Sequence, residues 1–141
     1  MKNANQLFIE FLSLVNRPED VAKLFAEDGA LGIPYLADLG MPPRYVGRGE
    51  IAGLYKQLLV LVPTWKFRDV TTHIETEDKL FAEYWVDEPT AGTNRRFRQH
   101  FFGYLKAENG KIKLLREALN QVTTARSFFP NGLADIPKSK A

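Results

Sequence analysis

Apolar residues recur at helical spacing through the first part of the chain and at every second position through most of the rest. Leu7, Phe8, Phe11, Leu12 and Val15 predict an amphipathic helix over residues 3–16. Pro18, followed by Glu19 and Asp20, suits the first turn of a second helix. Val21, Leu24 and Phe25 give that helix its apolar face, Gly29 reads as its stop, and Asp28 as a helix-end residue. A short strand is expected over 30–34, and a loop over 35–44 around Gly40, Pro42 and Pro43. Ile51, Leu54, Tyr55, Leu58, Leu59 and Val62 mark a third helix, which Pro63 closes. Period two then predicts strands over 65–76, 80–87, 95–106 and 111–122, with a turn at 77–79 and a loop over 87–92. Asn109-Gly110 is the strongest hairpin signal.

Helices first and antiparallel strands second predict an α+β fold: three N-terminal helices packed on a strongly curved, mostly antiparallel sheet. With no repeat and no linker, residues 1–141 read as one domain ending in an irregular tail over 123–141. Phe128 and Phe129 in that tail are expected to dock, on this chain's cavity or on a partner subunit.

Composition narrows the chemistry. The 141 residues include no cysteine and two histidines, which excludes disulfides, thiolate metal sites and a three-histidine zinc site. No metal or other cofactor is expected. Nineteen basic residues against seventeen acidic ones leave a charge of +2, too little to imply nucleic acid. No run approaches the length of a membrane span, and the apolar stretch over 7–15 is broken by Glu10, so a cytoplasmic location is expected.

The last hairpin carries the candidate chemistry. With Asn109 and Gly110 at the turn, Glu108 pairs with Lys111, which sets Phe102 opposite Glu117 and His100 opposite Leu119. Glu117 then shares a face with His100, Phe102 and Tyr104, its diagonal to His100 being about 7–8 Å. A carboxylate walled by aromatics has its pKa raised by desolvation, which suits a general base near neutrality. A one-residue bulge would turn Glu117 to the opposite face. His73, beside a turn, reads as idle, and Arg95, Arg96 and Arg98 as a solvated strand face. Tyr84 or Glu83 offers a polar handle on its strand, and Tyr35 and Tyr45 flank the loop as possible pocket rims.

Several short motifs occur in a familiar order: G-R-G-E-I entering the third helix, W-K-F after its proline, E-N-G-K-I, and a final L-L-R-E-A-L-N. Together with the three helices, they resemble the nuclear transport factor 2-like superfamily over roughly residues 5–122. Within it the chain is most similar to the polyketide-cyclase-like (SnoaL-like) group and the phenazine-biosynthesis A/B proteins. The resemblance implies a cone-shaped α+β barrel with a deep apolar pocket, and a homodimer formed across the sheet. It places Glu117 at the acid/base glutamate of the phenazine group, and Gln99, His100 and Phe101 on a matching strand motif. That group's third-helix histidine is missing here, where Gly53, Leu54 and Tyr55 stand.

The expected activity is a cofactor-free acid–base reaction, such as isomerisation, cyclisation, dehydration or condensation, on a small apolar cyclic metabolite. Glu117 and His100 are the candidate catalytic residues, and Tyr35, Leu54, Tyr84, Phe97, Phe102 and Leu119 the candidate substrate contacts. The alternative is a binding domain for a hydrophobic ligand, without catalysis.

Overall fold

A computed structural model describes residues 1–139. Helix α1 (Ala4–Leu14) starts at Asn3, whose side chain accepts from the Gln6 amide while Gln6 returns the bond, and it buries Leu7, Phe8 and Phe11. Helix α2 (Pro18–Lys23) is shorter than expected, because strand β1 (Phe25–Gly32) begins two residues later. Gly29 is therefore no helix stop, and Asp28 lies in a strand. A register shift interrupts β1 between Phe25 and Ala30, and a Cβ on Gly29 would stand 2.7 Å from the carbonyl oxygen of Ile112. The loop expected over 35–44 opens within a 3-10 turn (Pro34–Leu39), and strand β2 (Arg44–Val46) begins at its last residue. Helix α3 spans Arg48–Leu61 and buries Ile51, Ala52, Leu54 and Tyr55.

Strands β3 (Phe67–Glu75), β4 (Lys79–Pro89), β5 (Arg96–Glu108) and β6 (Lys111–Leu119) follow. The six strands run in the order β2-β1-β6-β5-β4-β3, with only β1 and β6 parallel. On β4 and β5, buried residues alternate with more exposed ones, so one face lies on the helices and the other faces outward. The expected fold class is the observed one: α+β, with a mostly antiparallel sheet against helices. A last helix, α4 (Gln121–Phe128), occupies the start of the segment expected to be irregular. Its sequence signal is Asn120, whose side chain accepts from the Thr123 amide. Residues 140 and 141, the end of the expected tail, lie outside the described residues.

Candidate functional site

The hairpin register decides which side Glu117 faces. Asn109 and Gly110 both have positive φ, at 53° and 74°, and Glu108 pairs with Lys111 as expected. The ladder then shifts by one: Ala107 pairs with Ile112, but Lys106 pairs with Leu114, leaving Lys113 as the extra residue. Beyond this bulge Glu117 lies opposite Gly103 rather than Phe102, and Leu119 opposite Phe101 rather than His100. The expected register is corrected by one residue, and with it the expected face. Glu117 joins the buried residues of β5 on the inner side, whereas His100 and Phe102 lie on the outer side.

Inside, Glu117 is 3% exposed and lines an apolar cavity of about 100 Å³. The α3 side chains Leu54, Tyr55 and Leu58 face it from one direction and Phe97, Phe101 and Leu119 from the sheet. Phe128 of α4 completes the wall and stacks on Phe97 at 4.7 Å. The tail thus closes this chain's own cavity. It is held there by Arg95, whose guanidinium donates to the carbonyls of Arg126, Phe129 and Pro130 at 2.7–2.8 Å. Gln99 secures the other end of α4, donating to the Asn120 carbonyl and the Thr124 hydroxyl. Arg95 and Gln99 are therefore structural fasteners.

The Tyr84 hydroxyl donates to Oε2 of Glu117. Gly103 makes that contact possible: a Cβ there would lie 3.0 Å from ring carbons of Tyr84 and closer still to its hydroxyl. Burial pushes the Glu117 carboxyl up to about 7, against the Tyr84 hydrogen bond, which pulls it down. Burial and the nearby Glu117 charge hold both Tyr55 and Tyr84 well above the usual phenol range, so both remain protonated donors. Gly103→Ala should force Tyr84 aside and cost about 1–3 kcal/mol of stability. Loss of the phenol's donor should also raise the Glu117 pKa, measurable by carboxyl carbon NMR titration. An unchanged titration would show that the Tyr84 contact is not what Gly103 protects.

The other candidates divide between the two faces. Leu54, Phe97 and Leu119 line the cavity, and Tyr84 lies buried behind Glu117. Tyr35 is half exposed and Phe102 sits outside, so neither is part of the cavity wall. His100 stacks on Trp85 at 4.3 Å, and its Nε2 shares a hydrogen bond with Oε2 of Glu83 at 2.6 Å. His73 bonds the other oxygen of the same carboxylate at 2.8 Å. The two imidazoles pull the Glu83 carboxyl below its usual range. The expected Glu117–His100 pairing is absent: the sheet separates them.

Several wall residues carry no site signal in the sequence, Tyr55 and Trp65 among them. Tyr55 follows the helical apolar pattern and looks like any core position. Trp65 belongs to a motif used only for the fold, yet it lines the cavity with a buried Nε1 that has no partner among the described residues. No group of three or more His, Cys, Asp or Glu among the described residues is placed to hold a metal ion. Among the described residues, no helix is long and apolar enough to cross a membrane.

No family model matches the chain, and no curated protein does. Solved structures do. A candidate isomerase from Bacillus subtilis is 20% identical, with a TM-score of 0.80 over 90% of this chain and 93% of that one. A phenazine biosynthesis-related protein from Pseudomonas aeruginosa is 19% identical, with a TM-score of 0.74 over 98% of this chain and 88% of that one. A Catenulispora acidiphila protein with a ketosteroid isomerase-like fold, solved with trimethylamine, is 13% identical, with a TM-score of 0.74 over 88% and 92%. The chain has this fold. At such identities the likeness speaks for architecture alone, and activity must be argued from the cavity.

Proposed function

We propose that the protein is a cofactor-free acid–base enzyme, isomerising, cyclising, dehydrating or condensing a small apolar cyclic metabolite. The observation that carries this is one carboxyl, Glu117, buried in the wall of an apolar cavity, where burial pushes it up to about 7. Such a group is divided between acid and base forms at neutral pH, so it can take a proton from a bound carbon acid and return it elsewhere. Tyr84 holds Oε2, leaving Oε1 for the reacting atom, while the aromatic wall keeps water out. Leu54, Phe97 and Leu119 contact the substrate in this reading. Among the structural neighbours, the names isomerase and phenazine biosynthesis-related are consistent with it. The test is deuterium incorporation from D2O at the α-carbons of cyclohex-2-enone and 1-indanone. Exchange accelerated by the protein and dependent on Glu117 supports the reading; no acceleration with either ketone counts against it.

A second reading, a hydrophobic-ligand carrier, is favoured by the cavity's lack of any imidazole, both histidines lying outside. Ligand binding unaffected by removal of Glu117, with no turnover, would select it.

A second copy of the chain is proposed to cover the outer sheet face, as the family resemblance implies. Phe81 and Phe102 stack there at 5.9 Å and are 36% and 39% exposed, continuing into the His100–Trp85 stack. Wild type should sediment as a dimer and Phe102→Arg as a folded monomer; a monomeric wild type would rule the dimer out.

A further inference from the structure

We propose that the cavity selects uncharged ring compounds bearing an oxygen acceptor and rejects carboxylates. This rests on the acid–base reading for its site but concerns binding alone. The wall contains no Lys, Arg or His among the described residues, so nothing there could balance an anion. Four cations on or beside the wall's elements are committed elsewhere. Arg95 clamps the end of α4, Arg96 pairs with Asp87 at 2.6 Å, and Arg98 lies over Trp85 on the outer face. Lys56, on α3 itself, reaches outward to Glu19 at 2.5 Å. An anion entering this space would lose its hydration with no cation to pair with in return. Once Glu117 ionises, like charge adds to that penalty.

The polar groups that remain favour an acceptor. With Oε2 of Glu117 accepting from Tyr84, the protonated acid carries its hydrogen on Oε1, the oxygen left for a ligand. Tyr55 adds a second protonated donor in the same wall. A ketone or ester oxygen satisfies such donors, whereas a hydrocarbon leaves them dry and unpaired.

Acetophenone and benzoate separate charge from shape, since they differ by a methyl group against a charged oxygen on the same skeleton. The chain has two tryptophans, Trp65 in the cavity wall and Trp85 on the outer face, so its two indole N–H signals report the two faces. Trp85→Phe assigns them. At pH 8, acetophenone should shift the Trp65 signal and leave Trp85 in place, with benzoate binding at least about ten-fold more weakly. Acetophenone affinity should also fall as pH rises through about 7, where the Oε1 hydrogen is lost, and Glu117→Gln should remove that dependence. Equal affinity for the two compounds, or failure of both to move Trp65, overturns the selection. Selective binding without Glu117-dependent exchange would instead overturn the acid–base reading and leave this inference standing.

Discussion

Glu117→Gln should reduce catalysed proton exchange by about 10²–10⁴-fold while leaving the fold intact. Glutamine keeps the shape of the side chain, and its amide oxygen can still accept from Tyr84, but it cannot take up a proton at neutral pH. Among the described residues of the cavity, Glu117 alone titrates near pH 7, since the phenols of Tyr45, Tyr55 and Tyr84 all lie above their usual range. For proton abstraction, the wild-type rate should rise with pH through about 7 and level off once the carboxylate is fully formed. Tyr84→Phe removes the hydrogen bond that pulls this pKa down, so the limb should move to higher pH. A Gln variant that exchanges protons at the wild-type rate would end Glu117's candidacy.

The fold was largely legible because its signals are local: the helical spacing of Leu7, Phe8 and Phe11, the alternation along β4 and β5, and Asn109-Gly110 at the turn. The misreadings come from long-range contacts. Phe25 to Gly32 forms a strand because β6 offers a parallel edge, although its start also continues a helical pattern. Helix α4 has few apolar residues of its own and is held by Arg95 and Gln99 from β5 and the loop before it. No window of sequence contains both partners.

The site illustrates the same limit at finer scale. The hairpin turn was readable, but the bulge at Lys113 was not, since nothing in K-I-K-L-L marks which residue leaves the ladder. One residue of register transferred Glu117 from a face shared with His100 to one shared with Phe101 and Gly103. The chemistry changes with it: instead of a carboxylate assisted by imidazole, the cavity holds a carboxyl governed by burial and a phenol. His100, left outside, divides a carboxylate with His73.

That burial should also be visible in the pH dependence of folding. Glu117 has a pKa of about 7 folded, against an ordinary 4.5 when unfolded. Below 4.5 both states are protonated and the group contributes no difference. Between 4.5 and 7 the unfolded chain releases the proton while the folded one retains it, so stability falls as pH rises. Above 7 both are ionised and the penalty is constant, at roughly 3 kcal/mol. Glu117→Gln removes the titration, so it should gain roughly 2–3 kcal/mol on wild type between pH 5 and pH 8.5, read from parallel urea unfolding curves. The comparison isolates this carboxyl because surface pairs such as His73–Glu83 and Arg96–Asp87 are common to both proteins. Parallel stability profiles for the two would mean that Glu117 titrates as an ordinary solvated carboxyl. The buried acid–base site would then fall along with the expected slope.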